Sequence, residues 1–221
     1  MATHLEVAVL EFGSYLCGMR ERSPTVLGDG IMLLAEDGLY RAIAVAALHE
    51  VAPDGRGWTR VAGTVSRSLP RAYVPQAAEL AESTKRRLWQ VAERAGHLLV
   101  LQAARELAAC CEHAGNLDEL RRGCVAAGRR ETALSMLAQG GLSRSICRLM
   151  GECRWTRARM VDVLAQAILD GSFRGGQPDW GTMPDESPED PHLRAFARRI
   201  ADLIILEAWK EFAARLQALA R

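Results

Sequence analysis

The chain has 221 residues, 49% of them hydrophobic and 25% charged, with a formal net charge of only +1. That length holds one large or two small domains, and the balance is that of an ordinary globular protein. No run of about 18 apolar residues exists to span a membrane. The start carries Glu6 and Glu11 without a basic region, unlike a secretory signal, so a cytoplasmic location with reduced cysteines is the expectation.

Residues 1–70 read as a small β-rich unit. Three Asp-Gly pairs, Asp29-Gly30, Asp37-Gly38 and Asp54-Gly55, tolerate the positive φ of hairpin turns. Apolar runs at 31–35, 39–51 and 58–65 suit a β-meander, with 7–12 as a first strand or a short helix. Within them 42–48, AIAVAAL, suits helix and strand equally. Pro70 and Pro75 mark a change of character. From 77 onward Ala, Leu and Arg dominate and the signal is helical. Gly96 predicts a break, followed by a helix over 97–113 that stops at Ala114-Gly115. Asn116 caps a helix over 117–127 that ends at Gly128, and 129–138 forms the next. Ser143 caps a helix reaching Met150, and Trp155 or Thr156 opens a longer one that stops at Asp170-Gly171. Residues 171–191 form an acidic Pro/Gly linker. The last helix, 192–220, is apolar nearly all round at 203–206, which suits the core of its own chain or an assembly surface. The predicted fold is therefore α+β, predominantly α-helical. The 1–70 unit precedes a helical domain over 75–170, the linker over 171–191 and the apolar helix over 192–221. Successive short helices over 98–169 also leave a helical-repeat scaffold open.

Charge is distributed unevenly along this chain. Between positions 121 and 159 stand nine arginines, Arg121, Arg122, Arg129, Arg130, Arg144, Arg148, Arg154, Arg157 and Arg159, against the acids Glu131 and Glu152. The segment carries 9 − 2 = +7, so the remainder compensates at 1 − 7 = −6. A local positive field points to a polyanion, and the alternatives are a solvated face paired with acids elsewhere or an acidic protein partner. Aromatics are only 5%, which leaves few rings for stacking single-stranded bases and favours DNA over RNA. The acids Asp185, Glu186, Glu189 and Asp190 lie on a Pro-flanked loop that could fold onto this segment and shield it.

The densest part, LSRSICRLMGECRWTRARMVDVL at 142–164, fits a helix-turn-helix with a long turn. Ile146 and Met150 face inward, Cys147 is the small contact and Trp155 is the buried anchor. Arg154, Thr156, Arg157 and Arg159 then project from the start of the second helix, the end that meets base edges and phosphates. This stretch resembles the helical DNA-binding region of FlhC-type transcription activators, the flagellar master regulators and their relatives on mobile elements. The resemblance implies a transcription activator working with a second subunit. That family also carries paired Cys-x-x-Cys zinc ligands, and this chain has no such pair.

Other chemistry has little to stand on. Cys110 and His113 are three apart on one predicted helix and could join Cys124, Cys147 or Cys153 around zinc, but free cysteines in an Ala-rich helix are usually small buried hydrophobes. No nucleophile elbow, P-loop or zincin motif is present, so no enzyme and no cofactor are expected. The sequence predicts a DNA-binding regulator. Arg154, Thr156, Arg157 and Arg159 enter the groove, and Arg121, Arg122, Arg129, Arg130, Arg144 and Arg148 grip phosphates. A protein partner or self-association uses 192–221. The alternative is a non-enzymatic helical adaptor or a subunit of a protein or ribonucleoprotein assembly.

Overall fold

One helix, α4 (Glu82–Ala114), organises the chain. Its 33 residues span about 50 Å at 1.5 Å per residue. From Ala95 to Ala104 every residue is buried, so this stretch needs neighbours on all sides. The computed structural model describes residues 24–34, 38–50, 56–74, 79–138, 141–181 and 190–221. Among these residues α1 (Pro24–Leu33), α2 (Leu39–Glu50) and α3 (Arg56–Tyr73) pack on α4 from the N-terminal side. After α4 come α5 (Leu117–Ala127), α6 (Arg129–Ser135), α7 (Leu142–Gly151) and α8 (Arg157–Asp170). The last helix, α9 (Pro191–Ala218), packs on α8, α7, α4 and α6. The molecule is predominantly helical, and no helix among the described residues is long and apolar enough to cross a membrane.

Where a β-meander is expected, residues 24–33, 39–50 and 56–73 are helices. The part of that expectation over 7–12 lies outside the described residues. Asp29-Gly30 makes no turn: it sits inside α1, where a Cβ on Gly30 would lie 2.6 Å from the Cys111 sulfur and 3.0 Å from its backbone nitrogen. The ambiguous AIAVAAL is settled by Tyr40, Ile43, Ala44 and Ala47, buried at helical spacing against α4. Pro70 falls in the last turns of α3 and does not end it. Gly96 does not break α4 either. A Cβ there would stand 2.9 Å from the Ser66 nitrogen and 3.0 Å from the Ala62 carbonyl, so this glycine is the place where α3 crosses against backbone.

A single two-residue ladder is present among the described residues: β1 (Phe173–Arg174) pairs antiparallel with β2 (Gln177–Pro178). Gly175 and Gly176 turn it with φ of 57° and 77°, the positive angles a tight hairpin requires. The hairpin is tied down by Arg105, which donates to the Gly175 carbonyl at 2.8 Å, and by Ser145, which donates to Gln177 Oε1 at 2.6 Å.

The main core joins α1–α4 to α7, α8 and the first two thirds of α9, through Leu193, Phe196, Ile200, Ile204 and Ala208. A smaller cluster holds Cys124 of α5, Leu134 of α6, Cys147 of α7 and Phe212 and Leu219 at the end of the chain. The Arg-bearing helices α5 and α6 are thus anchored on the last turns of α9. That helix is a core element, with Leu206 and Trp209 on its exposed line at 37% and 41%.

Candidate nucleic-acid interface

The turn between α7 and α8 is built by backbone hydrogen bonds. Glu152 N–H donates to the Arg148 carbonyl at 2.8 Å, and Trp155 N–H reaches back to Leu149 at 3.0 Å. To close this loop Arg154 adopts φ 54°, the left-handed region that non-glycine side chains avoid. Thr156 then caps α8, its hydroxyl accepting from Arg159 N–H at 3.3 Å. At the far end Gly171 takes the left-handed cap position, and the Arg94 guanidinium donates to the last carbonyls, Ile168 at 3.4 Å and Leu169. Trp155 sits edge-on to Trp180 at 6.1 Å and packs against the core. Both α7 and α8 rest on α9.

The ten candidate contact residues all reach the surface. Arg144 is half-buried, and Arg121, Arg122, Arg129, Arg130, Arg148, Arg154, Thr156, Arg157 and Arg159 are exposed. The structure divides them into two groups. Arg157 is held in a bidentate fork by Asp202 of α9, at 2.6 and 2.7 Å, and this bond raises its pKa further above the ordinary arginine value. Arg159 lies over the Trp155 ring at 3.9 Å. Arg121 meets Asp118 at 3.4 Å, and Arg122 donates to the Asp118 carbonyl. In contrast, Arg129, Arg130, Arg144, Arg148 and Arg154 form no ion pair among the described residues. Arg130 also joins two elements, because its guanidinium occupies the space where a Cβ on Gly151 would be, at 1.9 Å. That places the cation of α6 beside the C-terminus of α7, where the helix dipole favours positive charge. The acids at 185, 186 and 189 lie outside the described residues. Asp190 caps α9 through His192 N–H at 2.9 Å and accepts from the Thr84 hydroxyl at 2.8 Å.

The zinc candidates are not brought together. Cys110 is buried beside Arg215, which donates to its sulfur at 3.3 Å. His113 Nδ1 bonds the Ala109 carbonyl at 2.6 Å, and Cys124 belongs to the separate smaller cluster. No three His, Cys, Asp or Glu side chains among the described residues converge as a ligand set. Burial pushes the thiols up, Cys110 to about 11 and Cys111 and Cys147 to about 12, which opposes a thiolate.

Sequence reasoning missed a buried polar cluster at the centre of the bundle. Tyr40, Gln102, Glu106, Ser143, Glu211 and Arg215 are each fully buried, with Glu207 at 2% exposure. Two members act as helix caps supplied from another helix. Gln102 Oε1 accepts the first N–H of α7, from Leu142, at 2.9 Å, while Glu207 accepts the first N–H of α2, from Leu39. Gly141 and not Ser143 is the N-cap of α7, and the Ser143 hydroxyl points into the cluster. Burial, then Glu106, push the Tyr40 hydroxyl well above its ordinary pKa, with Glu207 and Glu211 adding to the effect. The signal was the i, i+4, i+8 spacing of Glu207, Glu211 and Arg215, which reads equally as a solvated stripe. Comparison with family models, with curated proteins and with solved structures returns no match for this chain.

Proposed function

We propose that this chain is a DNA-binding regulator that holds duplex DNA through the arginines of α5–α8, with α7, its turn and α8 as a helix-turn-helix-like unit. The observation that carries the reading is the set Arg129, Arg130, Arg144, Arg148 and Arg154, surface cations with no acid partner among the described residues. A fixed local field of one sign recruits phosphate and releases counterions. The only aromatic ring in the segment, Trp155, is covered by Arg159 and Trp180, so it offers no platform for an unstacked base. That favours a duplex over a single strand.

The test is binding to random duplex DNA across a salt series. Each phosphate contact contributes about 0.9 to the slope of log K against log salt. Arg154→Gly is the informative variant. It removes one cation and relieves the left-handed strain, so stability should rise by about 0.5–1 kcal/mol while the salt slope falls by about one contact. Loss of binding therefore cannot be laid to misfolding. Absence of micromolar duplex binding at 50 mM salt overturns the reading. The assembly alternative is favoured by the exposed Leu206 and Trp209, and it predicts a partner whose affinity changes little with salt.

A further inference from the structure

A second basic feature lies beyond the 121–159 segment. A groove of about 400 Å³ runs between the first turn of α8 and the middle of α9, lined by Arg157, Ala158, Val161, Arg198, Arg199 and Asp202. Three of the six lining residues are arginines and one is an acid. Arg199 forms no ion pair among the described residues, and Arg198 reaches Asp162 at 2.8 Å. The first N–H groups of α8, from Arg157 and Ala158, have no acceptor within the helix, and they add their partial positive charge at the same end.

Asp202 is the unusual member. Its two oxygens take Arg157 Nε and a terminal nitrogen at 2.6 and 2.7 Å, the parallel fork that a phosphate also accepts. The pair is about half exposed, at 50% and 44%, and exposed ion pairs hold their partners weakly. A ligand with two acceptor oxygens and a full charge competes with the carboxylate for the same fork.

We propose that this groove is a phosphodiester seat formed by Arg157, Arg198 and Arg199, and that Asp202 occupies it in the free protein as an internal competitor. The proposal rests on the nucleic-acid reading above and extends the contact surface onto α9. Asp202 then sets the affinity: it lowers binding to any polyanion that cannot displace it.

The experiment compares four full-length proteins on duplex DNA over a salt series: wild type, Asp202→Asn, the triple change Asp202→Asn/Arg198→Ala/Arg199→Ala and the charge-matched control Glu82→Gln. Glu82 is an exposed acid on α4 whose side chain is 86% accessible. Asp202→Asn should tighten binding on the order of tenfold at 50 mM salt and steepen the slope by about 0.9, one further phosphate contact. Glu82→Gln should change affinity less than about twofold, since it alters net charge away from the groove. Adding Arg198→Ala/Arg199→Ala to Asp202→Asn should erase the gain. If wild type binds but Asp202→Asn behaves like Glu82→Gln, the groove is not a seat, and the reading of the 121–159 arginines stands. If neither wild type nor Asp202→Asn binds duplex at low salt, both fall. If submillimolar inorganic phosphate at constant ionic strength displaces duplex from Asp202→Asn, the groove serves small phosphates and the polynucleotide assignment is overturned.

Discussion

Removing Arg215 should be among the most damaging single changes in this protein. The side chain has no exposed surface. One terminal nitrogen donates to Glu106 Oε2 at 2.8 Å and to Cys110 Sγ at 3.3 Å. Burial on its own lowers the Arg215 pKa, but Cys110, Glu106 and Glu211 around it outweigh that and raise it. Glu106 and Glu211 both act on Arg215 inside the cluster, while Glu207 accepts the Leu39 N–H and meets Lys210 at the rim at 3.0 Å. Arg215→Met keeps the volume but leaves Glu106 buried without its cation, which costs about 3–5 kcal/mol. For a domain whose total stability is about 5–15 kcal/mol that is roughly a fifth or more, and it lowers Tm by about 6–20 °C. Changing both partners, Arg215→Met with Glu106→Leu, removes the stranded Glu106 charge and should recover part of the loss, with Glu211 still buried beside the site. The assay is urea unfolding followed by circular dichroism, with the two single variants and the double forming a cycle. A loss below about 1 kcal/mol for Arg215→Met, or a double variant that loses the sum of the singles, refutes the argument. Arg215 adds no pH dependence near neutrality. Its folded value lies above the already strongly basic unfolded one, so its contribution is complete throughout the neutral range.

Gly96→Ala improves helix propensity by about 1 kcal/mol, yet it should destabilise by about 1–3 kcal/mol, because the new methyl meets the α3 backbone at Ser66 and Ala62; a gain in thermal stability would show that α3 can slide. Among the described cysteines Cys153 is exposed and should take up a thiol reagent first, with Cys110, Cys111 and Cys147 protected until unfolding, as read by peptide mass mapping. The same three thiols sit above their ordinary value of 9.0, at about 11 and 12, so their contribution is complete below pH 9 and is lost as pH rises through the folded values. A serine replacement at Cys147 should therefore flatten the alkaline limb of the stability profile. Asp190 behaves in the opposite sense. The Thr84 hydroxyl, followed by the His192 N–H, holds its carboxyl below the usual 3.8, so its contribution is present above that value and is lost in acid. Thr84→Val should show a small loss at neutral pH that closes as pH falls, and an unchanged acid limb would count against the pairing.

The segments that could be read from sequence are those whose signals are local. Thr156 and Asp170-Gly171 frame α8 because a cap and a left-handed stop act on their own turns. The helix ending at Gly128 is legible for the same reason, with φ 85° at that glycine. Gly30 and Gly96 were misleading because glycine has two physical uses. A turn and a close helix crossing both need the missing Cβ, and only the partner, Cys111 or Ser66, tells them apart. That partner is more than 25 positions away in sequence, since 96 − 66 = 30 and 111 − 30 = 81. The β-meander expectation fails at Asp29-Gly30, where tertiary packing selects helix in place of a turn; Asp37 and Asp54-Gly55 lie outside the described residues. The arginine field was legible as charge. Its division into paired and unpaired members was not, because Asp202 lies 45 positions from Arg157.

That division bears on how DNA would be read. In a helix-turn-helix the start of the second helix carries base recognition. Here the Thr156 hydroxyl is engaged as a cap, Arg157 is held by Asp202 and Arg159 lies on Trp155. Three of the four side chains placed for base readout are therefore committed to the protein itself, and Arg154 remains. Within 121–159 the cations without acid partners among the described residues belong to α6, α7 and the turn, where phosphate contact demands only charge and reach. Affinity should then be steep in salt and shallow in sequence. Discrimination among random duplexes should stay within about 1–3 kcal/mol, the contribution of a single good base contact, in place of the roughly 4–10 kcal/mol of a dedicated operator reader. Repeated selection from a random duplex pool measures this directly. Enrichment of one extended consensus by wild type would show that Arg157 and Arg159 reach base edges on binding, and would refute the assignment of the surface to phosphate. A pool that stays diverse, together with a salt slope that falls when Arg129, Arg130 and Arg148 are replaced, is what five surface arginines without acid partners should produce.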